Sequence, residues 1–410
     1  MRILVYGLNF APEVTGVGKY TGEMVDWLVG RGHEVRVVTA PPYYPQWRVA
    51  SGFSTWRYTR ARHSGGPDVW RAPLWVPARP SGAKRILHLA SFALTSLPVV
   101  LWQAFWRPQV VILVVPALLT APGAWLATRL GGGKSWIHIQ DFEVDAAFDL
   151  NVLRQGWWRR LASGAESLLL RGFDRVSTIS EKMLARLPEK GVAPEKCALF
   201  PNWVDAQAIY PLPTASPFRK ELGIAEGAVV ALYSGNMGRK QGLDILADVA
   251  VRLAGEPGIT FVFAGAGESR AQLEASTVGL GNVRWLPLQP TDRLNELLNL
   301  ADIHLLPQRA DAADLVMPSK LTGMLASGRP VVATAAEGTQ VASAVAGCGL
   351  VVPPDDPDAF SSAILKLARN VEMRRSLGIA GRNYAQEHLD REVILRHFES
   401  ALHELIADQG

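Results

Sequence analysis

Short apolar runs alternate along the first half of the chain with stretches whose apolar residues recur at the spacing of a helix face. Residues Arg2–Tyr6 predict a buried strand, Lys19–Val29 a helix and Glu34–Thr39 a second strand. A strand, a helix and a strand in that order form a βαβ unit, whose strands are parallel. Further strands of this half are predicted at Val110–Val115, Ser135–Ile139, Arg175–Ile179 and Phe200–Asn202.

The same alternation starts again after a proline-spaced segment, Tyr210–Pro217, which we interpret as an interdomain linker. The strands predicted beyond it are Val229–Ser234, Thr260–Ala264, Val283–Leu286, Ile303–Leu306, Val331–Thr334 and Leu350–Val352. The predicted helices are Leu243–Ala254, Asp292–Leu300, Pro357–Arg369, Met373–Glu387 and Arg391–Ala407.

Length and alternation together predict an α/β protein. A chain of 410 residues is too long for one ordinary core, and each half has the pattern of a doubly wound parallel sheet. We therefore expect two Rossmann-like domains that face each other across a cleft. They span residues 1–208 and 209–388, with a helix in 389–410 packing back on the first domain.

Charge is distributed unequally between the two halves. Residues 1–200 contain 24 Lys and Arg against 14 Asp and Glu, a balance of +10, and the remaining 18 bases and 24 acids give −6. Twelve of the 13 tryptophans precede residue 204. Such a half is suited to an anionic membrane surface or a phosphate-bearing acceptor. No helix-turn-helix, zinc-finger or RNA-binding motif favours nucleic acid as a partner.

Two further features bear on location. The only cysteines, Cys197 and Cys348, do not form a disulfide framework, so we expect a reducing, cytoplasmic location. Their spacing is not that of metal ligands, so we expect no metal. Residues 84–106 are apolar for about twenty positions, although polar side chains and Pro98 interrupt them. Two interpretations stay open: a helix packed in a core, or a helix lying in the membrane interface with its tryptophans at headgroup level.

Glycine turns follow strands in both halves. In the second half, the turn after the first strand offers glycine space and polar or basic side chains for a diphosphate, namely Gly235, Asn236, Arg239, Lys240 and Gln241. Gly265 follows the next strand and permits close approach. In the first half, Gly16 and Gly18 precede a helix and could admit a diphosphate, with a simple tight turn as the alternative.

A second candidate anion site is the helix start Pro318–Leu321. Pro318 suits a first helical turn, and Ser319, Lys320 and Leu321 present a hydroxyl, a positive charge and backbone N–H groups. Anions bind at such helix starts because N–H groups and the helix dipole point at them. Ligands of open α/β sheets bind at the carboxyl ends of the strands, where this segment and the turn at Gly235 are expected to meet. An ordinary strand-to-helix connection is the alternative.

The first half carries candidates for acceptor chemistry. Asp141 follows a predicted strand and could hold or deprotonate a hydroxyl, and His138 could shuttle the proton or be a hydrogen-bonded core histidine. Tyr43, Tyr44 and Trp47 form an aromatic loop suited to stacking on a sugar, or to packing on its own domain.

With these residues in place, the whole chain resembles the family 4 glycosyltransferases of the GT-B fold, most closely the colanic acid biosynthesis type of bacterial exopolysaccharide enzyme. The resemblance is carried by several segments along the chain: Met1–Gly7, Thr15–Met24, Gly32–Trp47, His138–Asp141, Phe200–Trp203, Ser234–Leu243 and Pro318–Leu321.

The resemblance implies transfer of a sugar from a nucleoside diphosphate donor to a lipid-linked saccharide, with retention at the anomeric carbon and without a metal. Fucose from GDP-fucose is the donor that the colanic acid type suggests, and the inner face of the plasma membrane is the implied location. The family commonly has Arg and Lys where this chain has Asn236 and Gln241, and two glutamates where it has Leu315 and Gly323. A nucleotide-sugar epimerase or hydrolase, or a non-catalytic saccharide-binding partner, are the alternatives.

Overall fold

The computed structural model describes the chain except for residues 14–15, 63–64, 79–80, 146–156, 239–240, 310–317 and 408–410, and except for the side chain of Trp158. The chain divides into two compact units. Unit 1 comprises Met1–Pro201 and Leu395–Gly410, and unit 2 comprises Asn202–Ile394. The boundaries therefore lie at residues 201 and 394, where the sequence suggested 208 and 388.

Unit 1 contains an eight-stranded sheet with the order β3-β4-β2-β1-β5-β6-β7-β8. All neighbouring strands pair in parallel except β3, which is antiparallel to β4. The two central strands, β1 and β5, are buried except for Arg2, as in parallel sheets whose faces are both covered by helices. The strands are β1 Arg2–Gly7, β2 Glu34–Thr39, β3 Thr59–Arg62, β4 Asp68–Arg71, β5 Val110–Val115, β6 Lys134–Ile139, β7 Arg175–Thr178 and β8 Cys197–Leu199.

The helices of unit 1 are α1 Gly16–Gly30, α2 Gly82–Gln103, α3 Ala121–Gly131, α4 Trp157–Arg171 and α5 Glu181–Arg186. The last helix of the chain, Arg391–Ala407, also contributes to this unit. Its Phe398 ring stacks on Phe200 with 4.1 Å between centroids and meets the Trp136 ring edge-on at 5.0 Å. Late residues of the chain thus complete a core formed mostly by early ones.

Unit 2 contains a six-stranded, wholly parallel sheet with the order β11-β10-β9-β12-β13-β14. Its strands are β9 Val229–Asn236, β10 Ile259–Ala266, β11 Val283–Leu286, β12 Ile303–Leu306, β13 Val331–Thr334 and β14 Gly349–Val352. Its helices are α6 Phe218–Glu221, α7 Asp244–Arg252, α8 Arg270–Ser276, α9 Leu294–Leu298, α10 Ser319–Ala326, α11 Gln340–Val345, α12 Pro357–Ala368 and α13 Val371–His388, and the final helix Arg391–Ala407 is α14. Both sheets are thus Rossmann-like, as predicted.

Two expectations from the sequence are wrong. The proline-spaced segment from Tyr210 is part of unit 2, where the Asn295 side chain accepts from the Tyr210 amide and Asn299 bonds both the Leu212 amide and the Tyr210 carbonyl. The segment packs within unit 2 and does not link the two units. The last strand of unit 1 is Cys197–Leu199, and it ends before the predicted Phe200–Asn202.

The apolar segment 84–106 forms helix α2 and a short 3-10 turn, Ala104–Trp106. One side is packed: Phe92, Ser96 and Val100 are fully buried. The opposite side exposes Leu94 and Phe105 at 71% and 87% of their surface. By length and composition alone, Gly82–Trp106 is the one helix among the described residues that could cross a membrane, which is weak evidence by itself.

Candidate functional site

The turn at the end of β9 is shaped by two glycines that bring neighbouring strands close together. Gly235 pairs with Gly265 of β10, and both have positive φ, +132° and +144°. A Cβ at Gly265 would lie 1.9 Å from the Gly235 carbonyl oxygen. Gly265 is therefore required for the packing of the two strands, and its approach to a ligand stays a prediction. A Cβ at Gly235 would instead meet the Lys320 Nζ at 3.9 Å.

Lys320, in the first turn of α10, is held beside the Gly235 turn by Tyr233 of β9. Its Nζ donates to the Tyr233 hydroxyl at 3.1 Å and lies 4.5 Å from the centre of the Tyr233 ring. The Tyr233 hydroxyl in turn donates to the Asn236 carbonyl oxygen at 2.6 Å. This chain of hydrogen bonds ties the start of α10 to the end of β9, so the two segments that the sequence predicted to meet do so.

The environment of Lys320 is unusual for an ammonium group. Burial lowers the pKa of Lys320 to about 8. Within the described part of the chain, no carboxylate lies within ion-pair distance of it. A half-buried cation that has no acidic partner among the described residues is a favourable position for an anionic ligand, because the ligand supplies a compensating charge.

The other residues of the helix start differ from expectation. Pro318 is the residue before the helix and has an extended backbone, and Ser319 is the exposed first helical residue. Leu321 is completely buried, and its amide donates to the Pro318 carbonyl oxygen at 2.9 Å. Leu321 therefore belongs to the core of unit 2, whereas Ser319 and Lys320 stay available at the sheet edge.

Gln241 brings a polar atom to the same turn. Its amide donates to the Gly238 carbonyl oxygen at 3.2 Å, and a Cβ at Gly238 would lie 2.8 Å from Gln241 Oε1. That Oε1 is buried and has no hydrogen-bond donor among the described residues. Asn236 is exposed at the end of β9. The predicted residues Arg239 and Lys240 lie outside the described residues, as does Leu315.

The glycine loop of unit 1 is occupied by a side chain that sequence reasoning missed. A Cβ at Gly18 would lie 2.5 Å from Glu13 Oε2. The buried Glu13 carboxylate accepts from the amides of Tyr43 and Tyr44, both at 3.0 Å, and from Asn9 Nδ2 at 2.9 Å. Burial raises the pKa of Glu13. Gly18 thus makes room for Glu13, and its contact with a diphosphate stays a prediction.

The neighbouring aromatic loop is divided between core and surface. Tyr43 is buried, with its ring edge-on to Trp47 at 5.6 Å and to His88 at 4.8 Å. Tyr43 therefore packs on its own unit, which is the alternative that the sequence left open. Tyr44 is 39% exposed and lies beside Gly16, whose φ of +59° makes the turn. Tyr44 and the half-buried Trp47 remain available for contact with a ligand.

His138, at the end of β6, is a buried and fully hydrogen-bonded histidine. Gln140 Nε2 donates to its Nε2 at 3.0 Å, which leaves the ring proton on Nδ1 to donate to Ser177 Oγ at 2.9 Å. Burial lowers the pKa of His138 to about 3, so the ring is neutral near pH 7. The predicted proton shuttle is therefore replaced by the core-histidine alternative. Asp141 is exposed in the turn that follows.

Comparison with known proteins assigns the family. Residues 15–203 match the glycosyl transferase 4-like domain and residues 228–370 match the glycosyl transferases group 1 family. The chain is 43% identical over 408 residues to the putative colanic acid biosynthesis glycosyl transferase WcaI of Escherichia coli K12, covering 97% of this chain and 98% of that protein. It is 26% identical to a GDP-mannose-dependent alpha-(1-6)-phosphatidylinositol monomannoside mannosyltransferase of Mycobacterium tuberculosis, covering 93% of each chain.

Solved structures agree on the fold. Sucrose-phosphate synthase from Thermosynechococcus elongatus has a TM-score of 0.74 at 17% identity, covering all of both chains. HepE from Anabaena, in complex with UDP and glucose, has a TM-score of 0.70 at 14% identity, covering 98% of this chain and all of that one. The two parallel sheets and the match along almost the whole chain lead to one conclusion: this protein is a glycosyltransferase of family 4 with the GT-B fold.

Proposed function

We propose that this enzyme transfers a sugar from a nucleoside diphosphate donor to a lipid-linked saccharide during synthesis of a colanic-acid-like exopolysaccharide. The similarity to WcaI, at 43% identity over nearly the full chain, supports the pathway. GDP-fucose is the proposed donor, with retention at the anomeric carbon. The observation that carries the donor assignment is the half-buried Lys320 ammonium beside Gly235.

In this proposal the leaving diphosphate is stabilised by groups of the protein and not by a metal. Departure of the sugar leaves negative charge on the β-phosphate, and a fixed cation lowers the barrier when it lies where that charge develops. Lys320 is fixed by Tyr233, and the exposed Ser319 at the start of α10 adds a hydroxyl. Arg239 and Lys240 are further proposed diphosphate contacts on the grounds of their sequence positions.

Gln241 and Asn236 are proposed to bind the donor through neutral hydrogen bonds. The buried Gln241 Oε1, which has no donor among the described residues, would accept from a hydroxyl of the ribose or the sugar. An unpaired buried oxygen costs free energy, and a ligand hydroxyl would recover it. This contact offers a way to hold the donor without the two glutamates that the family commonly carries.

For the acceptor, we propose that Asp141 binds the reacting hydroxyl and that Tyr44 and Trp47 contact the saccharide. The exposed carboxylate of Asp141 lies just beyond β6, at the carboxyl edge of the unit 1 sheet, where ligands of such sheets bind. His138 is a positioning residue here, because it holds Gln140 immediately before Asp141.

We further propose that unit 1 rests on the anionic inner face of the plasma membrane. Helix α2, the 3-10 turn that follows it and helix α3 expose large apolar side chains, among them Leu87, Leu94, Trp102, Phe105, Leu126 and Leu130. The bases Arg85, Arg107 and Arg129 occur in the same segments. Apolar side chains flanked by bases fit an interfacial membrane contact, since the acyl boundary takes the former and anionic headgroups attract the latter.

The donor proposal is tested by thermal unfolding with GDP, UDP and ADP, each alone and as its sugar conjugates. Binding to the native state raises the melting temperature by mass action. GDP and GDP-fucose should raise it most in the wild type and have little effect on Lys320→Ala. No shift with any nucleotide would reject nucleotide-sugar transfer, and donor consumption without an acceptor would indicate a hydrolase or epimerase.

A further inference from the structure

A second concentration of positive charge lies in unit 2, at the edge of the sheet opposite to Lys320. Asp302 immediately precedes β12, and Gly328–Pro330 immediately precede β13, so these residues mark the amino-terminal ends of parallel strands. A cavity of about 550 Å³ opens there. We call it the arginine pocket, because four arginines line it: Arg329, Arg374, Arg375 and Arg382.

The charge of this pocket is poorly balanced. Asp302 is the one acid among its described lining residues. The Asp302 carboxylate is already bound by the Arg219 guanidinium and by the amide of Val230. The charge of Asp302 is therefore already paired with Arg219, which is not one of the four arginines that line the cavity.

Two of the four arginines hold the wall of the pocket in place. Arg374 donates to the carbonyl oxygens of Leu367 and Ala368 at the end of α12. Arg382 joins two separate segments, through the carbonyl oxygens of Ala206 and Ile209 in one and of Ala326 in the other. These bonds satisfy backbone groups, and neither guanidinium has an ion pair among the described residues, so the pocket is cationic.

The other two arginines are not used in this way. Arg329 is partly buried, and its Nε has no hydrogen-bond acceptor among the described residues. Burial lowers the pKa of Arg329, and the charges of Arg219 and Arg374 act in the same direction while Asp302 opposes them. Arg375 is exposed beside it, one residue along α13 from Arg374. Like charges gathered in a partly buried place cost free energy that a bound anion would offset.

We propose that the arginine pocket binds a phosphate-bearing small molecule, at a site distinct from the Lys320 site. Guanidinium groups bind phosphate oxygens in pairs, which favours phosphate over a simple halide. The volume is within the range of small-molecule sites, about 300–1,000 Å³, and exceeds what one phosphate fills. Val371, Ile379 and Pro211 supply an apolar wall for an organic part. The ligand class is therefore a small organic phosphate, such as a sugar phosphate.

The arrangement also places two phosphate sites at the two ends of one short helix. Helix α10 begins with Ser319 and Lys320 and ends at Ala326, two residues before the lining residue Gly328. Eight residues of α-helix span about 12 Å. The two sites are thus close but chemically separable, because substitution of Lys320 leaves every residue of the arginine pocket unchanged.

Calorimetric titration of the full chain with inorganic pyrophosphate tests this proposal. Lys320→Ala should serve as the background, so that the proposed donor site contributes nothing. In that background, pyrophosphate should bind at one site, and Arg375→Glu should weaken binding by at least tenfold because it reverses a charge at the pocket. The matched control is Lys366→Glu on α12, which reverses an exposed charge outside the pocket and should leave the affinity unchanged.

A second variant distinguishes a loss of binding from a loss of folding. Arg329→Gln should also lose pyrophosphate binding while its thermal unfolding stays cooperative. A hexose 1-phosphate should bind more tightly than inorganic phosphate, because the apolar wall contacts the sugar. Absence of pyrophosphate binding in Lys320→Ala, or equal affinities in Arg375→Glu and Lys366→Glu, would overturn the site. Equal or weaker binding of the hexose phosphate would overturn the organic ligand.

Discussion

The Lys320 ammonium donates to the Tyr233 hydroxyl at 3.1 Å, and this hydrogen bond joins the first turn of α10 to the second half of β9. The two residues are 87 positions apart in sequence. Their contact fixes a cation at the carboxyl edge of the unit 2 sheet, beside a glycine that leaves room for a ligand.

Replacing Tyr233 by Phe should lower kcat/KM by about tenfold, which corresponds to about 1.4 kcal/mol. The ring still packs in the core, but Lys320 loses the oxygen that orients its Nζ. Steady-state kinetics with the nucleotide-sugar donor measures the effect, and thermal unfolding checks the fold. Tyr210→Phe is the control, since Tyr210 is an exposed tyrosine of the same unit. Equal kinetics in both variants would show that the orientation of Lys320 has no part in turnover.

Diphosphate binding should depend on pH through Lys320. Burial lowers the pKa of Lys320 to about 8 in the free protein, so the ammonium loses its proton as the pH rises through that value. Affinity for a nucleoside diphosphate should therefore be constant below about pH 7.5 and fall above about pH 8 by up to tenfold per pH unit. Titration calorimetry between pH 6.5 and 9.5 measures it. Lys320→Gln should bind more weakly and lack this fall, and a fall of the same size in that variant would assign it to another group.

The same pKa has a consequence for stability with the opposite sign. The folded-state pKa of Lys320 lies below its ordinary value of 10.5, so the unfolded chain binds more protons between about pH 8 and 10.5. The contribution of Lys320 to the free energy of unfolding should therefore rise with pH across this window. Chemical unfolding of wild type and Lys320→Gln at pH 8 and pH 10 isolates that contribution. A wild-type stability that falls relative to the variant would contradict the lowered pKa of Lys320.

Gly18 and Glu13 should behave as a coupled pair. Gly18→Ala places a Cβ 2.5 Å from Glu13 Oε2 and should cost about 1–3 kcal/mol of unfolding free energy. Glu13→Ala leaves the buried amide of Tyr43 without its acceptor and should cost about 1–3 kcal/mol. The double variant should be more stable than the sum predicts, because removing Glu13 relieves the clash. Gly30→Ala is the control, because a Cβ there meets nothing within 4 Å. Additive losses of unfolding free energy at Gly18 and Glu13 would disprove their contact.

Membrane association should depend on the exposed side of α2. Leu94→Glu combined with Phe105→Glu places two charges on side chains that are largely exposed, so the fold should persist. Cosedimentation with vesicles containing anionic phospholipid should fall by tenfold or more. Val278→Glu with Leu288→Glu makes the same change at exposed positions of unit 2 and serves as the control. Undiminished sedimentation of the α2 variant would leave the membrane proposal without support.

The pattern of apolar residues was sufficient for the buried strands and failed at the edge of the sheet. Val110–Val115 and Val331–Thr334 are internal, fully buried strands and have the predicted bounds, because parallel strands covered on both faces are mostly apolar runs. Strand Thr59–Arg62 was missed. All four of its residues are exposed, so it has no apolar alternation to detect.

Residues of the candidate site could be proposed from the sequence where neighbouring residues carry the signal. Lys320 was found because a helix start after a strand has a known electrostatic character. Glu13 was missed because a buried carboxylate has no periodic signal, and its partner Tyr43 is 30 residues away. The role of His138 was ambiguous in the sequence for a similar reason. Its hydrogen-bond partner Ser177 lies on the neighbouring strand, 39 residues away.

The return of the last helix to unit 1 has a consequence for biosynthesis. Phe398 lies against Trp136 and Phe200, so the part of the protein that leaves the ribosome first cannot close its core until almost the whole chain has been translated. Unit 2, which is continuous from Asn202 to Ile394, has no such delay. Maturation should therefore begin in the middle of the polypeptide, and a nascent chain stalled before Phe398 should carry a folded unit 2 beside a protease-sensitive unit 1.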